Sequence, residues 1–201
     1  LAVPAVLHLT SLVVFSLIGA LSPGPNNIML MTSGVNFGLR ASGPHVAGVW
    51  LGVTLVQLLI GAGFYALLQA FPWLYTALHL AALFYLLYLA WRMATATSTA
   101  SGRNTPHPLT FLQAAAFQCV NPKVWAVGLA AITTFARPDH VRTDVVVIAL
   151  TIGLVSVPCL VLWTAFGTVM RHALSTPKAV RFFNVAMAIL LVLSLLPVLL
   201  R

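Results

Sequence analysis

The chain has no glutamate, and its two aspartates, Asp139 and Asp144, stand against ten lysines and arginines. Charged residues make up 6% of it, where an ordinary soluble domain carries about a quarter. So little charge excludes a soluble globular fold, and 61% hydrophobic content makes the chain an integral membrane protein. No carboxylate lies inside an apolar run, and neither an H-E-x-x-H nor a G-x-S-x-G pattern is present, which leaves an intramembrane enzyme without a base, nucleophile or metal set. Cysteine is nearly missing: Cys119 and Cys159 lie in apolar runs without metal-ligand or redox spacing and read as small core residues. No cofactor and no metal site is implied. The basic residues are spread singly between apolar runs, which argues against a nucleic-acid partner and for loop charge that orients a membrane protein. No basic flank precedes the first apolar run, so the pattern of a signal peptide is not met.

What is present is a series of membrane-length apolar segments. A bilayer core takes about 20 residues of helix, and six segments qualify: roughly 7–35, 45–69, 73–91, 109–136, 145–169 and 180–200. A Ser, Thr and Pro-rich linker at about 95–108 divides them into half-repeats of three, about 1–94 and 109–201, within a single transmembrane domain spanning 1–201. Three is odd, so a second half similar to the first enters from the opposite side. The expected fold is all-α and polytopic, six transmembrane helices arranged as two inverted three-helix repeats, with partners limited to membrane lipid and a small-molecule substrate. A homo-oligomer is compatible with it. Arg40, Arg92, Arg103, Arg171, Lys178 and Arg181 fall on one side, and Arg137, Arg142 and Arg201 on the other, the first two diluted by Asp139 and Asp144. The richer side belongs inside, which places both termini outside.

The first and fourth segments are expected to be broken. Pro23, Pro25 and Pro122 lack an N–H and crowd the carbonyls of Gly19, Leu21 and Gln118, so helix cannot continue through Ser22-Pro23-Gly24-Pro25-Asn26-Asn27 or through Asn121-Pro122-Lys123. Irregular backbone at membrane depth is tolerated where protein or a water-filled cavity surrounds it, and matched breaks in two halves mark a transporter's binding site. Lys123 is the one cation well inside a segment. A charge there costs roughly 2.5–3.5 kcal/mol on insertion scales. It falls in the first turn of the second half-helix, where free N–H groups and the positive dipole end would join its ammonium as an anion site; alternatively it neutralises carbonyls freed at the other break. Asn26, Asn27 and Asn121, with Ser22, Gln118 and Gln57 near enough to join them, either bind substrate or cap the half-helices.

Gly48 and Gly52, four apart, let a neighbouring backbone approach the second helix. Pro158 reads as a kink in the fifth. His8, His45, His79, His107, His140 and His172 fall mostly near segment ends, never at metal-binding helical spacing, and read as interfacial. With no intramembrane acid, His79 is the candidate proton carrier among them.

These stretches together resemble the lysine exporter family, which includes homoserine/threonine efflux proteins (LysE/RhtB). Ser22-Pro23-Gly24-Pro25-Asn26 is similar to its Pro-Gly-Pro signature, and Gly38-Leu39-Arg40-Ala41 followed by Gly48 and Gly52 to its basic turn and second helix. Tyr85-Leu86-Leu87-Tyr88-Leu89-Ala90-Trp91-Arg92 is similar to the end of its third helix, and Asn121-Pro122-Lys123 to its fourth-helix motif. The resemblance implies secondary export of amino acids or related metabolites across a bacterial inner membrane, without ATP hydrolysis and with proton coupling. Ser42 and Ala82 replace glycines common in the family, and no acid follows Lys123, where an exporter of basic amino acids would offer a carboxylate to the substrate. A small neutral amino acid is therefore expected, held by Ser22, Pro23, Gly24, Pro25, Asn26, Asn27, Gln57, Gln118, Asn121, Pro122 and Lys123. Export of basic amino acids or of metal cations is the alternative, ahead of a non-transporting membrane subunit or an intramembrane enzyme.

Overall fold

A computed structural model describes residues 5–64, 70–95, 107–174 and 176–193; the side chains of His8, Tyr75 and His79 lie outside that description, as does most of the 95–108 linker. Every regular element among the described residues is helical. The first apolar segment is two helices, α1 (Ala5–Leu21) and α2 (Pro25–Phe37), bent by 57° at the proline pair. Pro25 takes the first position of α2, where its missing N–H and fixed φ suit a helix start. α3 (Gly43–Leu59) is extended by a wider turn over Ile60–Phe64, and α4 (Pro72–Thr95) follows. The fourth segment is also divided, into α5 (Phe111–Val120) and α6 (Pro122–Phe135), with Asn121 extended between them. Thr110 and Gln113 open α5 with a reciprocal capping box.

Then come α7 (Val141–Ala173) and α8 (Pro177–Leu193). α7 runs as one helix through Pro158. It is the packing hub, lying against α1, α2 and α3, while α5 lies along α3 and α4 along α8. The seam between α2 and α7 is backbone-close: a Cβ on Gly34 would stand 2.1 Å from the Thr164 carbonyl oxygen, and one on Gly167 would stand 2.0 Å from that of Met31. Gly48 and Gly52 likewise admit the backbone of α5, at Phe111 and Ala115, as their spacing predicts. Between these seams Leu30, Val49, Leu86, Phe117, Ile148 and Leu191 form a fully buried core. Ile18, Leu154, Phe182 and Ile189 face outward, the expected inversion for a surface that meets hydrocarbon.

Gly43–Gly63 and Pro138–Ala173 are long and apolar enough to cross a membrane, and Leu9–Leu21 with Pro25–Phe37 qualifies as a third span when counted as one bent unit. The chain is thus a multi-pass membrane protein, helical throughout its described regular elements. Three sequence expectations need correction. Cys119 is exposed on the outer side of α5 rather than in the core, although Cys159 is buried. Asp144 is not in a loop but in the first turn of α7, where its carboxylate accepts from Arg137 Nε at 2.9 Å and Nη2 at 2.8 Å and also from the Arg137 backbone N–H. His45, although near a segment end as expected, is not on the surface: it is 2% exposed, because α2, α4 and the segment before α5 converge on the first turn of α3.

Candidate functional site

At the first break the side chains replace the hydrogen bonds that the prolines remove. Ser22 Oγ donates to the Gly19 carbonyl at 2.9 Å, which Pro23 cannot reach as a donor. Asn27 Nδ2 donates to Ala20 O at 2.9 Å and to Ser22 O at 2.8 Å. Lys123 Nζ, arriving from α6, also donates to the Ser22 carbonyl. Such contacts keep the freed carbonyls from standing bare at membrane depth.

The second break is closed in the same manner but corrects one expectation. Asn121 Oδ1 accepts from the Lys123 backbone N–H at 3.1 Å, and Asn121 O accepts from the N–H groups of Val124 and Trp125. The first turn of α6 is therefore capped by its own Asn121, and its N–H groups are not free for an anion; the cation in this place is the ammonium of Lys123. Diverting the Lys123 N–H leaves the Cys119 carbonyl, which Trp125 Nε1 takes at 2.8 Å.

A reciprocal amide pair joins the two breaks. Asn26 Nδ2 donates to Gln118 Oε1 at 2.8 Å, and Gln118 Nε2 donates back to Asn26 Oδ1 at 3.0 Å. Gln118 and Asn121 are fully buried behind this contact.

In front of it lies a cavity of about 60 Å³, lined by Gly24, Asn26, Asn27, Gln57 and Lys123. At about 30 Å³ per water, that volume corresponds to about two waters. Ser22, Pro23, Pro25, Gln118, Asn121 and Pro122 are not on its wall; they shape the breaks that form it. Gly24 is the floor beneath the lysine, for a Cβ there would come within 2.9 Å of Lys123 Cδ and 3.2 Å of Nζ. Gln57 reaches from α3, its Nε2 donating to Val124 O at 3.2 Å while its buried Oε1 has no partner. Sequence reasoning missed Ser16 on α1 and Ser156 on α7, which line the same cavity. Their hydroxyl protons go to Leu12 O and Gly153 O, which leaves oxygen lone pairs as acceptors. Single serines in apolar helices carry no distinguishing local pattern.

The cavity thus has one cation, several neutral acceptors and no carboxylate. The ion pair found among the described residues, Arg137–Asp144, is elsewhere, and no described cluster of His, Cys, Asp and Glu has three members close enough for a metal ion.

Comparison with known proteins identifies the family. Residues 17–196 match the LysE type translocator family. The chain is 31% identical over 179 residues to a cysteine/O-acetylserine efflux protein of Escherichia coli O1:K1 / APEC, covering 89% of this chain and 90% of that protein. It is 30% identical, with the same coverage, to the proteins of that name in Escherichia coli strain K12 and Shigella flexneri serotype 5b. No solved structure matches the chain.

Proposed function

The chain belongs to the LysE type translocator family, whose members are transporters rather than enzymes, and on that premise we propose that it exports small neutral amino acids from the cytoplasm. The observation that carries this substrate class is Lys123: an ammonium beside a small cavity without any carboxylate to pair it. An ammonium has three donors, and Ser22 O takes one. The others receive the carboxylate of a zwitterion, while its α-ammonium meets the amide oxygens of Asn26 and Asn27 and the hydroxyl oxygens of Ser16 and Ser156. Each charge of the substrate then finds an opposite partial or full charge. Relatives named for cysteine and O-acetylserine efflux fit this class, since both molecules are small α-amino acids without a net side-chain charge at neutral pH.

Six spans in two inverted halves, about 1–94 and 109–201 in a single domain, provide the alternating access. Support comes from the matched division of the first and fourth segments. The helix partners point the same way, with α1 and α2 against α7 and, correspondingly, α5 and α6 against α3. The protein sits in the inner membrane with both termini outside, and rocking of the halves drives transport coupled to the proton gradient. Inside-out vesicles given labelled O-acetylserine or cysteine, with and without a pH gradient, test this: gradient-dependent accumulation is expected, and uptake of no amino acid would overturn it.

A further inference from the structure

A second cavity, of about 90 Å³, lies where the C-terminal two turns of α2, the first turn of α3, the end of α4 and the segment before α5 converge. His45 lines it. The imidazole is 2% exposed, and neither ring nitrogen has a hydrogen-bond partner. Most buried polar side chains are bonded, and a pair of ring nitrogens left without a partner among the described residues, on a side chain that lines a cavity, is unusual and points to a ligand. In either protonation state the imidazole offers at least one N–H.

The other groups here define what that partner is. Arg92 on α4 and His107 before α5 are the remaining titratable residues on the wall, and no acid accompanies them. Arg92 is held near the Tyr88 ring, 6.0 Å from its centroid, by a contact that leaves the fork of its guanidinium N–H groups available. Ser33 and Asn36 on α2 add polar atoms, while Met29, Leu89 and Met93 supply apolar wall. A cation would meet only like charge. A small molecule with one carboxylate and a short side chain fits both parts.

We propose that this cavity is a second binding site for the transported amino acid, held by its carboxylate between His45 and Arg92, on the route to the Lys123 cavity. The proposal rests on the export reading above. Both cavities are built on the same pair of helices: His45 and Val53 lie eight residues apart on α3, about 12 Å, and Asn36 and Asn26 ten apart on α2, about 15 Å. Val49, fully buried, stands between them on α3 and closes the lower cavity from this side. The upper cavity adjoins the turn carrying Arg40, on the side where basic loop residues are concentrated, so it is the side from which an exported solute arrives.

The test uses the purified full chain in detergent, labelled with ¹⁵N-histidine and titrated separately with O-acetyl-L-serine, acetate and chloride. O-acetyl-L-serine and acetate are expected to shift the His45 imidazole resonances, identified by their loss in His45→Gln, and to do so equally in Lys123→Met. Arg92→Gln, a substitution on a partly exposed residue, is expected to weaken the response roughly tenfold or more. His45 resonances that do not move at saturating amino acid, that move as much with chloride, or that stop moving in Lys123→Met would overturn a separate carboxylate site. An intact His45 response in a protein that accumulates no amino acid in vesicles would instead support this site and sink the export function.

Discussion

The ammonium of Lys123, on the second half of one broken span, donates to the main-chain carbonyl of Ser22, at the end of the first half of the other. One contact therefore stabilises a carbonyl that the Ser22-Pro23 break exposes and holds the cavity's cation in place. Because Asn27 Nδ2 also donates to Ser22 O, that carbonyl remains bonded if the lysine is removed. Lys123→Met is accordingly expected to fold and insert normally while export falls at least about tenfold, the worth of one charge-assisted hydrogen bond to a carboxylate. Expression level and vesicle uptake, measured side by side, check it; normal uptake would remove Lys123 from the site.

Gly24 gives the same hypothesis a subtler test. Its φ of −177° and ψ of 179° are extended values that any residue adopts, so alanine introduces no backbone strain. The added Cβ would meet the flexible end of Lys123, 2.9 Å from Cδ, and push the ammonium off Ser22 O. Gly24→Ala should keep its melting temperature and lose uptake, whereas unchanged uptake would mean that the position of the ammonium does not matter.

The breaks were legible in the sequence because proline acts locally: Pro23, Pro25 and Pro122 stop a helix whatever surrounds them. The partner that each freed carbonyl would find was not. That Asn121 caps its own helix and consumes the expected N–H anion site depends on one side-chain rotamer, and an Asn before Pro reads equally as ligand or cap. Burial of His45 was hidden for a different reason. Its position at the start of a span reads as interface, and only the convergence of α2, α4 and the segment before α5 over that turn encloses it. Ser16 and Ser156 were invisible because a lone hydroxyl in an apolar helix satisfies itself on the preceding turn wherever it points.

The Asn26–Gln118 pair is a polar bridge between the two breaks, with both amides exchanging bonds. Gln118 is fully buried and keeps Ala114 O and Asn121 Nδ2 as partners, so Asn26→Leu removes the two exchanged bonds and should cost about 1–3 kcal/mol of stability, about 0.5–1.5 kcal/mol for each. Gln118→Leu alone should cost a similar amount, and the double variant less than the two together. A thermal-melt double-mutant cycle showing simple additivity would mean that the bridge contributes nothing to stability.

Gly167 reports on the α2–α7 seam. A Cβ there would stand 2.0 Å from the Met31 carbonyl oxygen, which is main chain and cannot swing aside. Gly167→Ala is expected to lower stability by about 1–3 kcal/mol through overpacking. An unchanged melting temperature would show that the seam is looser than described.

Substrate charge decides between a neutral amino acid and a basic one. Removing an unpaired charge from water costs several kcal/mol even after relaxation, so a ligand must find a partner for each charge it carries. A neutral zwitterion finds Lys123 for its carboxylate and the amide and hydroxyl oxygens of Asn26, Asn27, Ser16 and Ser156 for its ammonium. A second ammonium or a guanidinium would need a carboxylate. Asp144 is already engaged by Arg137 through three hydrogen bonds, and Asp139 lies before α7 in the short turn Pro138–His140; neither lines the cavity. Lys123 would also repel the added cation. In competition against labelled O-acetylserine, serine, cysteine and threonine should inhibit uptake at least about tenfold better than lysine or arginine, a difference of about 1.4 kcal/mol. If lysine or arginine competes better than all of the neutral amino acids, the cavity does not select by charge in this way, and the basic amino acids become the substrate class.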